Sequence, residues 1–259
     1  MSGLQGLRIV LTRPVGQSAA LSARIRAAGG AVILLPLLEI APPLTPVDAA
    51  VLHAQMARAD EVIFISPNAV RMALQTLSAD AWPPTPRLVA IGKGTARALR
   101  AAGFTQVLAP DEGADSEALL ALPEFVQCAG RHTLIVRGEG GRALLAETLA
   151  ARAAQVEQAV VYRRIALPPD FTALRQYELL LFVLTSSEAL RVLLHAARDA
   201  GDAAWLRAQA FLFAHPRIAG YARTSGLNRG IMTSSPEDDA VFAALLEYAQ
   251  QQHLHIPES

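Results

Sequence analysis

RIVLTRPVGQSAALSARIRAAGGAVILLPLLEI, residues Arg8–Ile40, decides the fold because it occurs twice. It aligns without a gap on HTLIVRGEGGRALLAETLAARAAQVEQAVVYRR, His132–Arg164. Both copies read as an apolar strand, an arginine, a Pro or Gly turn, an amphipathic helix and a second strand. Arg13 falls on Arg137 and Leu21 on Leu145. Self-similarity of this kind means repeated supersecondary units, each too small to bury its own apolar face.

Outward from that stretch the duplication continues. EVIFISPNAVRMAL (Glu61–Leu74) matches LLFVLTSSEALRVLL (Leu180–Leu194), so Ser66 falls on Ser186 and Arg71 on Arg191. LVAIGKGTARALRAAGF (Leu88–Phe104) matches FLFAHPRIAGYARTSGL (Phe211–Leu227). VLAPDEGADSEALLAL, from Val107, matches IMTSSPEDDAVFAALL, from Ile231, with Asp115 and Asp238 read as helix caps. Short apolar strands alternating with helices predict parallel sheets covered on both faces. The expected fold class is α/β, with two similar open parallel-sheet domains. In such sheets ligands bind beyond the carboxyl ends of the strands, so function is expected at the strand tips.

Composition bounds the reading further. The 259 residues suffice for two small domains, and 52% are apolar while 5% are aromatic. Lys plus Arg and Asp plus Glu are both 23, so no bulk field draws nucleic acid or a membrane. Lys93 is the only lysine, and the other basic residues are arginines, which present planar forks to carboxylates. Cys128 stands alone, so no disulfide forms within the chain. The histidines lack zinc spacing, and His253 and His255 read as a polar tail. No cofactor or metal is expected. The N-terminus shows no secretory signal and no apolar run reaches a membrane span, so a cytoplasmic protein is expected.

In order along the chain, LTRP (Leu11–Pro14), FISPNAV (Phe64–Val70), AIGKGTA (Ala90–Ala96), SEALL (Ser116–Leu120), RGEGGR (Arg137–Arg142), VYRR (Val161–Arg164), LTSSEAL (Leu184–Leu190) and HPRIAGYA (His215–Ala222) form a pattern. It resembles the uroporphyrinogen-III synthase family over almost the full length. The resemblance implies a chain not split at its middle: residues 1–38 and 169–259 form one domain, residues 44–162 an inserted second. Residues 39–43 and 163–168 would be a pair of extended linkers, and prolines 42, 43, 46, 168 and 169 suit extended chain there. The implied reaction takes hydroxymethylbilane, a flexible tetrapyrrole with eight carboxylates. It expels hydroxide to give an azafulvene, closes through a spiro intermediate and inverts ring D. Holding the bent substrate is then the main task, with the domains closing on it. A monomer is implied, with transient contact to hydroxymethylbilane synthase.

By the same resemblance Tyr162 is the proton donor for the departing hydroxyl. A phenol of ordinary acidity keeps its proton at neutral pH and can donate it. The competing reading is a core tyrosine at a strand end. Ser66 and Pro67 open a helix directly after a strand, and so do Thr185, Ser186 and Ser187, where Thr185-x-x-Glu188 has capping-box spacing. These residues read as helix caps whose free N–H groups and hydroxyls also bind substrate carboxylates. Gly92, Lys93 and Thr95 form a third such turn, with the resemblance placing Thr95 at the substrate. Its counterpart in the second half is Ile218, without a hydroxyl, and His215 there reads as a structural histidine. Arg13, Arg137 and Gly138 sit at the tips of the paired first strands, where surface ion pairs compete with carboxylate binding. Arg163 and Arg164 read as solvent-facing linker charges. The glycines at 138, 140 and 141 lack dinucleotide-loop spacing, which argues against a nucleotide site. Two other functions compete: a non-catalytic hinged module binding small anions, and a sugar- or phosphate-handling enzyme. The latter needs a nucleotide loop or paired carboxylates that the sequence does not offer.

Overall fold

The computed structural model describes residues 3–113 and 115–253. The elements run β1 (Arg8–Leu11), α1 (Ala19–Ala27), β2 (Ala31–Leu34), β3 (Leu38–Ala41), α2 (Ala49–Arg58), β4 (Glu61–Phe64), α3 (Pro67–Thr76), β5 (Arg87–Ala90), α4 (Lys93–Ala101) and β6 (Val107–Leu108). They continue as α5 (Ser116–Leu120), α6 (Pro123–Val126), β7 (His132–Gly138), α7 (Leu144–Ala151), β8 (Gln155–Ala166), β9 (Leu181–Leu184), α8 (Ser187–Asp199), α9 (Ala203–Ala208), β10 (Ala210–Phe213), α10 (Pro216–Thr224), β11 (Gly230–Met232) and α11 (Asp238–His253). The helix α11 takes in His253, and His255 lies outside the described residues. Among the described residues no helix is long and apolar enough to cross a membrane.

The chain forms two compact units, unit 1 from residues 1–39 with 165–259 and unit 2 from residues 40–164. Unit 1 holds a sheet of order β11-β10-β9-β1-β2, and the sheet of unit 2 runs β3-β8-β7-β4-β5-β6. Matching β1 to β7, β2 to β8, β9 to β4, β10 to β5 and β11 to β6 makes the two orders the same, with β3 an added edge strand in the second sheet. The registers agree as well. Arg8 pairs with Ala31 as His132 pairs with Gln155, and Ile9 pairs with Leu181 as Thr133 pairs with Glu61.

One register differs from the sequence reading. Leu88 pairs with Val107 and Phe211 with Gly230, so Val107 corresponds to Gly230 rather than Ile231. These edge strands have two and three residues, too few for a periodic pattern to fix an alignment. The shift sets Asp115 on Asp238. Asp115 caps α5 through the Ala118 N–H, whereas Asp238 is the first residue of α11.

Each sheet is covered on both faces, which is why its central strands are apolar throughout. In β9, Phe182 and Leu184 join the core beneath α8 and α10, while Leu181 and Val183 join the opposite core beneath α1 and α11. In β4, Val62 and Phe64 face the core with α2 and α3, and Ile63 faces the core with α5 and α7. Burial of each such side chain contributes about 1.5–3 kcal/mol. Trp82 stacks on Phe64 at 5.3 Å and on Phe104 at 4.6 Å, closing the α3–α4 side of unit 2. Cys128 is buried in the other core of unit 2, and burial pushes its thiol up from the ordinary value, as fits a packing residue.

Candidate active site at the strand tips of unit 2

The middle of strand β8 alternates from Gln158 to Val161 and then breaks step. Ala159 and Val161 are buried, and so is the next residue, Tyr162. The pairing shows the cause. Arg137 pairs with Val160 but Gly138 with Tyr162, so β8 carries one extra residue there. This β-bulge turns Tyr162 onto the face that already holds Ala159 and Val161, in the core with α2, α3 and α4. The ring lies against Gly138: a Cβ there would stand 2.5 Å from the tyrosine Cζ. Only glycine permits that approach.

The Tyr162 ring is fully buried, and its hydroxyl lies 3.1 Å from Ser66 Oγ. Ser66 is placed by the start of α3. Its backbone is extended, Pro67 follows at the first helical turn, and its Oγ accepts the Ala69 N–H at 3.0 Å. Arg164 stands two residues beyond Tyr162, on the same side of the strand. Its Nη2 donates to the phenol oxygen at 2.9 Å, and its Cζ lies 5.2 Å from the ring centroid. The reading of Arg164 as a solvent-facing charge is therefore corrected: it is half-buried and bound to Tyr162. Strand periodicity was the available signal, since i and i+2 share a face. Arg163 donates to the Pro42 carbonyl at 3.2 Å, so it too is engaged.

The remaining expected site residues of unit 2 lie at the same end of its sheet. Gly92 caps α4 with φ 178°, an extended backbone that any residue adopts. Lys93 is exposed at the first position of α4. Thr95 is 2% exposed, within the helix face turned to the core. Arg137 donates to Gln158 Oε1 at 2.9 Å and to the Gly140 carbonyl, which ties down its own loop. Arg142 forms an ion pair with Glu117 across the surface.

In unit 1 the corresponding tips are mostly structural. Arg13 forms an ion pair with Asp238 and donates to the Pro236 carbonyl at 2.7 Å, with its side chain 11% exposed. Ser186, rather than Thr185, caps α8, accepting from the N–H groups of Glu188 and Ala189. The expected capping box at Thr185 and Glu188 is thus displaced by one residue, because α8 starts where α3 starts in the matching unit. Ser187 opens α8, and its hydroxyl is buried with no hydrogen-bond partner among the described residues. His215 caps α10, its Nδ1 accepting the Arg217 N–H at 3.0 Å. Ile218 packs in the core, as Thr95 does in unit 2.

A hydroxyl pair at a strand tip lies where open parallel sheets hold their ligands. The family model described as uroporphyrinogen-III synthase HemD matches residues 19–243. The chain belongs to the uroporphyrinogen-III synthase family. It is 35% identical over 245 residues to the uroporphyrinogen-III synthase of Salmonella typhimurium, covering 92% of this chain and 100% of the relative. The Escherichia coli uroporphyrinogen-III synthase is 33% identical over 245 residues, with the same coverage of 92% and 100%. A crystal structure of a mutant uroporphyrinogen III synthase from Thermus thermophilus is 20% identical, with TM-score 0.62 over 95% of this chain and 100% of that one. The Helicobacter pylori uroporphyrinogen-III synthetase structure is 18% identical, with TM-score 0.63 over 95% and 99%. At that identity the two structures speak to the fold, and their fold is this one. At the strand tips of unit 2, Tyr162, Ser66 and Arg164 form one hydrogen-bonded cluster.

Proposed function

We propose that the protein is a cyclising hydro-lyase that converts hydroxymethylbilane to uroporphyrinogen III, losing water and inverting ring D through a spiro intermediate. Family membership over almost the whole chain supports the activity. The observation that carries the chemistry is the buried Tyr162 hydroxyl held against Ser66 at the start of α3. Departure of hydroxide from the substrate needs a proton, and a phenol hydrogen-bonded in a low-dielectric setting is a suitable source. The remaining work is orientation of a polycarboxylate. Lys93 and the N–H groups that open α4 supply donors at one end of the unit 2 sheet, and the hydroxyls of Ser66 and Ser186 stand at the starts of α3 and α8. Each such contact contributes about 0.3–1 kcal/mol when exposed, so several are needed together. Arg13 and Arg137 hold loops around these tips rather than offering unengaged forks. In this reading the protein works in the cytoplasm as a monomer, receiving its unstable substrate from the synthase that makes it.

The test is to incubate the purified protein with freshly made hydroxymethylbilane and separate the product isomers. The type III isomer, formed faster than spontaneous closure, is the expected result. Type I alone, at the spontaneous rate, would leave a non-catalytic anion-binding module in its place.

A further inference from the structure

The Tyr162–Ser66 pair contains two hydroxyl protons but a single hydrogen bond between its oxygens. The phenol oxygen accepts from Arg164 at 2.9 Å, and Ser66 Oγ accepts from the Ala69 N–H at 3.0 Å. One hydroxyl therefore donates across the 3.1 Å gap, and the other has a proton left over. A phenol is a stronger hydrogen-bond donor than an alcohol. Tyr162 is thus the donor to Ser66, and the spare proton is that of Ser66. Exposure agrees with this order, since Tyr162 is 0% exposed while Ser66 is partly exposed.

We propose that the acid of the reaction is a relay: Ser66 meets the leaving hydroxyl, Tyr162 stands behind it as the proton source, and Arg164 is a positioning residue for Tyr162. This deepens the reading above and rests on it. The carbon–oxygen bond of the hydroxymethyl group breaks and its electron pair stays on oxygen. Ser66 passes its proton to that oxygen, giving water, and takes the Tyr162 proton in turn. The phenolate so formed faces the Arg164 guanidinium, which balances its charge. Ring closure at a pyrrole carbon releases a proton, which returns along the same path. No oxidant, reductant or metal enters the balance.

The experiment measures kcat and KM for type III formation by the full chain and its variants, with circular dichroism confirming each fold. The wild type comes first, because failure there ends the synthase reading and not the relay alone. Ser66→Asn keeps a capping acceptor but has no hydroxyl, and Ser66→Thr keeps both. We expect Ser66→Asn and Tyr162→Phe each to lower kcat roughly 10²-fold, with Ser66→Thr near wild type. The double variant Ser66→Asn/Tyr162→Phe should fall no further than either single, as members of one unit do. Arg164→Met should lower kcat about tenfold, the scale of one lost charge-assisted hydrogen bond, with KM unchanged. Arg164→Lys should recover most of that loss. Multiplicative losses in the double variant would show two independent groups and overturn the relay. An unchanged kcat in Arg164→Met, or a change confined to KM, would remove Arg164 from it.

Discussion

Unit 1 and unit 2 share the order and pairing of five strands, yet several buried positions that are polar in unit 2 are apolar in unit 1. Glu61 and Thr133, a buried carboxylate and the hydroxyl that donates to it at 2.9 Å, correspond to Leu181 and Ile9. Thr95 corresponds to Ile218 and Tyr162 to Leu38. The second strands also end differently. Pro36 follows β2 and stops it, whereas Val160 at the matching place lets β8 run on to Ala166 through the bulge. The shared fold therefore requires only the apolar pattern. Each copy adds its own polar groups to that pattern: Thr12 of unit 1, which donates to the Val183 carbonyl at 2.6 Å, stands where unit 2 has Val136.

The largest effect that should separate the units comes from Gly138→Val. Its side chain has to displace the buried Tyr162 ring, and we expect a loss of about 3 kcal/mol, with the melting temperature falling about 2–4 °C per kcal/mol. Pro14→Val, at the matching tip of unit 1, should cost about 0.5 kcal/mol or less in the same thermal scan. A similar cost for both would mean that the ring yields easily. Next is the buried carboxylate. Thr133→Val strips a donor from Glu61 and should destabilise by about 1–3 kcal/mol in urea unfolding. Installing the unit 1 pair, Glu61→Leu with Thr133→Ile, should restore wild-type stability or exceed it by about 1–4 kcal/mol. A double variant weaker than Thr133→Val would show that Glu61 is needed for the fold.

The helix caps offer a matched pair. Ser66→Ala and Ser186→Ala each remove a capping oxygen and should each cost about 1 kcal/mol. Ser66→Ala should also lower kcat, whereas Ser186→Ala should act mainly on KM, and an equal loss of kcat in the two would place the acid chemistry in both units alike. The smallest effect concerns Ala153, whose φ of 62° is left-handed. Its counterpart Gly29 adopts φ 86° without strain. Ala153→Gly should therefore raise stability by about 0.5–1 kcal/mol, read as a rise in melting temperature.

The repeat was legible because every strand–helix unit keeps its apolar periodicity, from Arg8–Ile40 through Phe211–Leu227. Serines 66 and 186 were legible as caps because a small hydroxyl residue followed each strand at once. The bulge before Tyr162 was not, since one inserted residue leaves no trace in composition and flips a side chain between faces without altering the string. Arg164 was missed for another reason: taken with Arg163 it looks like a charged linker, although its two-residue spacing from Tyr162 already set it on the tyrosine's face. The slip at Val107 had a different origin, as a strand of two residues carries too little pattern to anchor itself.

Strands β3 and β8 are neighbours in the unit 2 sheet, although their sequences are far apart. The polypeptide that makes unit 2 therefore starts and finishes along one margin of its sheet. Such a segment can be lifted out or transplanted as a single cassette with its cut ends already adjacent. Sewing those ends together and opening the chain ahead of β7 would yield strands in the succession of unit 1, with β3 as one addition.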